Sequence, residues 1–252
     1  EEKAPVVPAA TYARVQPLGT AALFTDLTFS ATALQDYDIC PRRFFYSYVG
    51  KMPGWDEERI GSKSYTISPQ ILGLVVHKAL ELKQEVPLEA ALARAVKDQE
   101  FSDSQRQRLA EVAEELLVKY CASPIYQEIA TLPQEAEKSF SLPLLKIGGQ
   151  EVIFTGSIDR LVHYADQTLG IVDFKTGHPP TNGEEKQGYT RQLVIYALAA
   201  EKLLGQKVKK AQLHFLQNNT AWLLSEDRQQ EETKLAELLR EILQKKSEQD
   251  FK

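Results

Sequence analysis

The chain has 252 residues, of which 43% are hydrophobic and 26% charged, and its formal net charge is −5. These values are ordinary for a globular domain with one substantial core or two small ones, and no apolar run approaches the roughly 20 residues that span a bilayer. The acidic balance argues mildly against binding nucleic acid, although a larger assembly can supply a basic channel and metal-binding acids lower the total charge.

The ends and the cysteines indicate the setting of the protein. The first residue is Glu1 rather than Met, so we expect a piece cut from a longer polypeptide. The N-terminal segment lacks a signal-peptide pattern, and the two cysteines have no metal-like spacing. We therefore expect a cytoplasmic protein without membrane association.

The first predicted elements are short. Residues 1–28, rich in Pro, Ala and Thr, are interpreted as a tail or connector, and a single domain is expected over residues 29–252. Ser30 is typical of a helix N-cap. A second short helix then carries Arg42 and Arg43 next to aromatic residues. This pattern fits either contact with a nucleic-acid strand or an ordinary amphipathic helix, and both interpretations stay open.

The next part, about residues 70–130, is helical. Apolar residues recur there at i, i+3 and i+4, as in core-facing helices. The predicted helices cover residues 69–84, 87–100 and 103–121. His77 lies in the first of them, one turn after Gly73, where the missing side chain would let a phosphate or a metal approach. A neutral imidazole is an acceptable Mn²⁺ ligand, but a single helical histidine is more often structural.

From residue 135 the apolar period changes to two, which predicts a sheet. Strands are expected near 136–146, 151–164, 168–175, 208–216 and 220–225. A helix at about 186–204 interrupts them, and a charged helix at about 227–247 follows. The expected fold class is α/β, with a mixed central sheet over about 135–225, flanking helices and a helical insertion ahead of the sheet.

Acidic residues at two strand ends are the most informative feature. Asp173 and Lys175 share one face of their strand because side chains alternate. If the preceding hairpin turns near residue 166, Asp159 lies opposite Asp173, at the separation of about 4.5–5.5 Å of cross-strand neighbours. Two carboxylates beside an ammonium suit a divalent cation and an activated water. We therefore predict metal-dependent phosphodiester hydrolysis, against the alternative of exposed charges at strand ends.

Several neighbouring residues are further candidates. Lys175 either orients the attacking water, deprotonates it through a depressed pKa, or only pairs with the aspartates. Gln192 and Tyr196 share a helix face at i, i+4, as substrate contacts or as a buried hydrogen-bonded pair. Arg191 is a candidate phosphate contact. Glu137 is a candidate ligand or support, although a solvent-facing glutamate is commoner.

At these residues the chain resembles the PD-(D/E)XK nuclease superfamily, and more closely its RecB-like branch. That branch includes the nuclease domains of AddA-type and RecB-type helicase–nucleases. The resemblance covers roughly residues 30–225, and its four motifs occur in the family's order. They are Gly73-Leu-Val-Val-His77, Gly156-Ser-Ile-Asp159-Arg160, Asp173-Phe-Lys175-Thr-Gly177 and Gln192-Leu-Val-Ile-Tyr196.

The resemblance implies a restriction-endonuclease-like core and a site for Mg²⁺ or Mn²⁺. The implied ligands are His77, Asp159, Asp173 and the backbone carbonyl of Phe174. Lys175 would stand beside the attacking water, and Gln192 and Tyr196 would flank the site. The substrate implied is DNA, as a single strand or a duplex end, and the implied partner is a helicase domain or subunit.

Several relatives carry an iron–sulfur cluster on four cysteines. Cys40 resembles the upstream ligand, but no cysteine follows Cys121, so we expect no iron–sulfur cluster and a small buried Cys40. The expected function is a metal-dependent DNA exonuclease of repair or recombination. The alternatives are an inactive DNA-binding module of a helicase–nuclease complex and a hydrolase of small nucleotides.

Overall fold

A mixed six-stranded sheet with helices on both faces organises the fold. The computed structural model describes residues 24, 27–52, 67–97, 101–181, 183–225 and 227–252. The strands are β1 (Thr28–Phe29), β2 (Gln134–Ile147), β3 (Gln150–His163), β4 (Leu169–Lys175), β5 (Val208–Phe215) and β6 (Thr220–Leu223). The α/β class with a mixed sheet is confirmed.

Eight α-helices surround the sheet in the described part of the chain. They are α1 (Ala31–Ile39), α2 (Pro41–Phe44), α3 (Pro69–Leu82), α4 (Leu88–Lys97), α5 (Asp103–Cys121), α6 (Pro124–Ile129), α7 (Gly183–Leu204) and α8 (Arg228–Gln244). The predicted N-cap of α1 is confirmed, because Ser30 Oγ accepts a hydrogen bond from the Ala33 backbone at 3.0 Å. The six-residue α6 was not predicted, and it is too short for a helical period to stand out. Most of the predicted tail over 1–28 lies outside the described residues.

β3 is the strand on which the sheet is built. β2 pairs with it antiparallel along almost its whole length, β1 runs parallel to its first half, and β4 runs antiparallel to its second half. β4 then pairs parallel with β5, which pairs antiparallel with β6. Arg160 faces Val172 in the β3–β4 hairpin, so Asp159 and Asp173 are the next pair in this register, as predicted.

Two apolar clusters lie on opposite faces of the sheet. One joins Ile171 to residues of α1, α7 and α8, and the other joins Val172 and Phe174 to residues of α3, α4, α5 and α6. β4 is therefore covered on both faces, as central strands of α/β proteins are. Since Asp173 alternates with Val172 and Phe174, its side chain points to the α7 face, where little water is present.

Among the described residues, none of the helices combines the length and the apolar character that crossing a bilayer requires.

Candidate metal centre and active site

The two predicted aspartates meet just beyond the last paired residues of the β3–β4 hairpin. Asp159 Oδ2 accepts a hydrogen bond from the Phe174 backbone N–H at 2.7 Å, which fixes its carboxylate against β4. Asp173 is only 1% exposed. Its Oδ1 accepts a hydrogen bond from Gln192 Nε2 at 2.9 Å, and its Oδ2 lies 2.7 Å from Lys175 Nζ. The structure thus brings Asp159, Asp173 and Lys175 together.

His77 on α3 reaches the same point from the opposite face of the sheet. Its Nε2 lies 3.1 Å from the carbonyl oxygen of Phe174, and its Nδ1 lies 3.4 Å from Asp159 Oδ2. Glu137 Oε1 lies 3.9 Å from the same Nδ1. Ligand atoms of His77, Glu137 and Asp159 all lie within 4.8 Å of one another. One side of the site is therefore a set of oxygen and imidazole donors of the kind that Mn²⁺ accepts.

The donors present fit a hard divalent cation. Asp173 Oδ2 is buried and accepts no hydrogen bond of normal geometry from the described residues, so its ion pair with Lys175 leaves lone pairs unused. Burying such a carboxylate is costly unless its charge is compensated, and a bound cation would add to the compensation that Lys175 provides. Together with Asp159, His77 and the Phe174 carbonyl, Asp173 Oδ2 offers the oxygen-rich ligand set expected for Mg²⁺ or Mn²⁺.

Glu137 joins this site through an unusual backbone. In the β2–β3 register it falls between the pairs Ala136–Arg160 and Lys138–Ile158, opposite Asp159. Its φ of 48° is left-handed, which costs a non-glycine residue about 1–3 kcal/mol; outside turns, such residues cluster at functional sites. Ser157 Oγ donates to Glu137 Oε2 at 2.9 Å and holds the carboxylate in place. The structure therefore supports Glu137 as a site residue more strongly than the sequence does.

Burial and neighbouring charges shift the pKa values of the side chains in this site. Burial disfavours the protonated form of His77, but hydrogen bonds with Asp159 and Glu137 and the nearby charges raise its pKa to about 10. Without a metal, His77 is therefore an imidazolium, and a metal ion must displace its proton. Burial also raises the pKa of Asp173, although the ammonium of Lys175 counteracts this.

Lys175 does not have the depressed pKa that a water-deprotonating lysine needs. Burial lowers its pKa, but the adjacent Asp173 and Asp159 outweigh burial, and the net shift is upward. The raised pKa favours the ammonium form of Lys175 in the metal-free protein, and this form favours the orienting interpretation. Its Nζ also lies 5.4 Å from the centre of the Tyr189 ring, a cation–π contact.

Three residues of α7 line the site at i, i+3 and i+7, namely Tyr189, Gln192 and Tyr196. Gln192 Nε2 donates to Asp173 Oδ1 and approaches the Tyr196 hydroxyl at 3.0 Å. Tyr196 is 8% exposed and packs edge-on against Phe140. Gln192 therefore contacts the site through Asp173, and Tyr196 contacts it through Gln192; their contact with substrate stays a prediction. Tyr189 was missed, although its helical spacing from Gln192 is a signal that the sequence offers.

Arg191 is not brought into the site. It is 8% exposed, and its guanidinium forms a two-pronged ion pair with Asp38 at 2.7 and 3.3 Å. A further bond of 3.4 Å runs to the carbonyl of Leu34. Arg191 thus ties α7 to α1, and in this structure its guanidinium is not presented to a phosphate.

The segment with Arg42 and Arg43 has the pattern of an amphipathic helix. Phe44 and Phe45 are buried in the core, Arg42 is exposed, and Arg43 forms an ion pair with Asp36 at 3.4 Å. Phe44 and Phe45 are therefore not available to stack on bases. Cys40 is half-buried rather than buried, and its Sγ accepts a hydrogen bond from the Arg43 backbone at 3.4 Å, so it caps α2.

Comparisons with known proteins show the family and the fold to which this chain is similar. The family model described as the PD-(D/E)XK nuclease superfamily matches residues 28–251. Two curated relatives are named as subunits of an ATP-dependent helicase/nuclease. The one from Pelotomaculum thermopropionicum (strain DSM 13744 / JCM 10971 / SI) is 40% identical over 76 residues, 29% of this chain and 6% of that protein. The one from Ligilactobacillus salivarius (strain UCC118) is 25% identical over 171 residues, 60% of this chain and 13% of that protein.

The chain thus corresponds to a small part of these two relatives. A crystal structure of a proposed exonuclease from Eubacterium rectale superposes with a TM-score of 0.55 at 14% identity, covering 85% of this chain and 80% of that one. At this identity the match shows a shared fold.

Proposed function

Because the chain belongs to the PD-(D/E)XK nuclease superfamily, we propose that it is a metal-dependent DNA nuclease, and specifically an exonuclease that hydrolyses phosphodiester bonds. The observation that carries the proposal is the convergence of Asp159, Asp173 and Lys175 with His77 at the junction of β3 and β4. A carboxylate pair, an imidazole and an ammonium at one point suit the hydrolysis of a phosphate ester.

The metal would be Mg²⁺ or Mn²⁺, held by His77, Asp159, Asp173 and the carbonyl of Phe174, with Glu137 beside them. Such an ion supplies charge stabilisation and lowers the pKa of a bound water. Hydrogen bonds from Gln192 to Asp173 and from the Phe174 N–H to Asp159 hold the two carboxylates in fixed orientations. These bonds reduce the reorganisation that the site needs when it meets substrate.

Lys175 would act directly on the reacting groups. As an ammonium it is placed to orient the attacking water or to donate to a phosphate oxygen on which negative charge develops. Its contact with the Tyr189 ring and its ion pair with Asp173 restrict its rotamers. We propose Gln192 and Tyr196 as residues that border the substrate strand on the α7 side.

The proposals of DNA as the substrate and of a helicase as the partner are based on the two relatives. Two proteins named as subunits of an ATP-dependent helicase/nuclease contain segments similar to this chain. We therefore propose that the chain works with a helicase domain or subunit in DNA repair or recombination. Because the chain has a net charge of −5, we expect weak and salt-dependent binding to DNA when it is alone.

The test is cleavage of end-labelled single-stranded and duplex DNA with Mg²⁺, Mn²⁺ or EDTA. Asp173→Asn and Lys175→Gln should abolish metal-dependent cleavage, while Asp166→Asn, an exposed aspartate in the β3–β4 turn, should leave it unchanged. Products shortened progressively from one end support the exonuclease, whereas internal cuts indicate an endonuclease.

Failure to cleave is informative when metal binding is measured on the same protein. Folded wild-type protein that binds Mn²⁺ by calorimetry but cleaves only when a helicase subunit is added supports the partnership. Protein that binds DNA without cleaving it under either condition would be the inactive module. If Asp159→Asn and Asp173→Asn both still bound Mn²⁺ as the wild type does, the proposed metal site would be refuted.

A further inference from the structure

A second polar pocket lies beside the C-terminal half of α3, apart from the metal centre. Its volume is about 340 Å³, within the range of sites for small ligands. The described residues that line it are Leu80, Lys83, Gln84, Tyr120, Tyr126, Ala130, Leu132, Gln134 and Arg160. This set contains two cations and no carboxylate, in a chain whose net charge is −5.

Arg160 is the buried cation of this pocket. It is 5% exposed, and its Nη2 donates to the carbonyl of Leu80 at 2.7 Å, in the last turn of α3. Its Nε is buried without a hydrogen-bond partner among the described residues.

Lys83 is the second cation, and it is the C-cap residue that ends α3, three residues after Leu80. Its Nζ lies 4.5 Å from the centre of the Tyr126 ring and donates to the hydroxyl of that residue. Within the described part of the chain, neither Lys83 nor Arg160 forms an ion pair with a carboxylate. Arg160 experiences the charges of Asp159 and Glu137 only through space, without an ion pair. Both cations line the same pocket, so an anion bound in it would be stabilised.

The side chains around the cations also offer hydrogen-bond donors. The Tyr126 hydroxyl accepts from Lys83, so its proton is free to donate to another group. The Tyr120 ring packs edge-on against Tyr126 with centroids 5.3 Å apart, and Tyr120 also lines the pocket. A planar guanidinium, an ammonium and phenol groups together match the several oxygens of a phosphate better than a single carboxylate.

We propose that the pocket bounded by Arg160, Lys83 and Tyr126 binds a phosphate group. The group would come either from a nucleic-acid strand or from a free nucleotide, since the recognition chemistry is the same. Arg160 directly follows Asp159 on β3, and consecutive strand residues point to opposite faces. The Arg160 side chain therefore points to the opposite face of β3 from the Asp159 carboxylate. The pocket is built from side chains other than those of the candidate metal centre, so phosphate binding there does not depend on cleavage.

The experiment uses the intact chain in EDTA, so that no metal contributes. Inorganic phosphate is titrated calorimetrically at constant ionic strength, with acetate as the competing anion of the carboxylate class. We expect one phosphate per chain, bound more tightly than acetate. Lys83→Gln should weaken binding about tenfold or more, since a charge-assisted bond is lost. Lys119→Gln, which removes a lysine of α5 that pairs with Glu115, should leave it unchanged.

A second measurement guards against misfolded variants. Phosphate should raise the melting temperature of the wild type and of Lys119→Gln, because it binds the native state, and should raise that of Lys83→Gln much less. Tighter binding of a mononucleotide than of a 5′-phosphorylated oligonucleotide would identify free nucleotide as the source, and the reverse would identify a strand end. Three results would overturn the proposal: equal phosphate binding by the wild type and Lys83→Gln, phosphate binding no tighter than acetate binding, or no phosphate binding. Arg160 would then only connect β3 to α3.

Discussion

Replacing Lys175 by methionine removes the ammonium that compensates a buried carboxylate. Asp173 is 1% exposed and has this ammonium at 2.7 Å. Removing one partner of a buried ion pair typically costs 3–5 kcal/mol, because the remaining charge stays buried and uncompensated. The side chain of Lys175 is itself 23% exposed, so water screens part of this interaction. We therefore expect the free energy of unfolding of Lys175→Met, in EDTA near pH 8, to be lower than that of the wild type by about 3 kcal/mol, the low end of that range.

The loss of stability in Lys175→Met should depend on pH, and the surroundings of Asp173 determine the direction of this dependence. The pKa of Asp173 is already raised in the folded protein, chiefly by burial, and without Lys175 it should rise further. A carboxyl group with a raised folded pKa destabilises the fold once the pH exceeds its unfolded pKa, and fully above its folded pKa. The penalty of Lys175→Met should therefore be largest near pH 8 and shrink as the pH falls and Asp173 takes up a proton.

Urea unfolding of four proteins measures this directly. The wild type, Lys175→Met, Asp173→Asn and the double variant are compared in EDTA at pH 5 and pH 8. The double variant should be more stable than Lys175→Met at pH 8, because no buried charge remains. Either of two results would refute the assignment of Lys175 as the partner of a buried carboxylate. One is a loss of stability in Lys175→Met that is equal at pH 5 and pH 8, and the other is a double variant that is no more stable than Lys175→Met.

Three further predictions concern other residues of the site and its surroundings. Because the pKa of His77 is about 10 without a metal, calorimetry should show Mn²⁺ affinity rising about tenfold per pH unit from pH 7 to pH 9, above the raised pKa of Asp173, and a flat profile over this range in His77→Ala. Glu137→Gln should weaken Mn²⁺ binding about 10–100-fold, whereas Glu135→Gln on the same strand should not; equal effects would exclude a special role for Glu137. Arg191→Met should lower the stability in urea by about 3 kcal/mol or more by leaving Asp38 unpaired, with no change in the DNA affinity of the folded protein; a selective loss of DNA affinity would restore the predicted phosphate contact.

The register of β3 and β4 was predictable because the hairpin is regular. With the turn at residues 165–167 and no bulge, counting back from the turn places Asp159 opposite Asp173. Local sequence alone fixes this arrangement, since the alternation of side chains and the turn position are both readable.

The register of β2 and β3 was not predictable in the same way. Their turn is at Gly148–Gly149, where Ile147 faces Gln150, and an uninterrupted ladder from there would place Glu137 opposite Arg160. The register shifts by one residue between Pro143 and Leu145, and this irregularity moves Glu137 opposite Asp159. A bulge has only a weak signature in a single sequence, so the place of Glu137 had to come from the structure.

Arg191 shows the corresponding limit for helices. It directly precedes Gln192 in a motif of the site, but consecutive residues of a helix point about 100° apart. Gln192 therefore faces Asp173 on the sheet while Arg191 faces Asp38 on α1. The sequence defines the helix, but only the packing of α1 against α7 decides which side chains next to the motif are buried.

The distribution of charge resolves the objection that a chain of net charge −5 is a poor candidate for binding phosphates. Asp159, Asp173 and Glu137 are concentrated at the metal centre, where bound divalent ions would cancel them. Arg160 and Lys83 line a pocket without acids. Salt screens such buried or partly buried charges little, but Coulomb energies fall with distance, so a phosphate in this pocket would interact most strongly with the groups that surround it. The proposed phosphate site therefore depends on the local arrangement of charge rather than on the total.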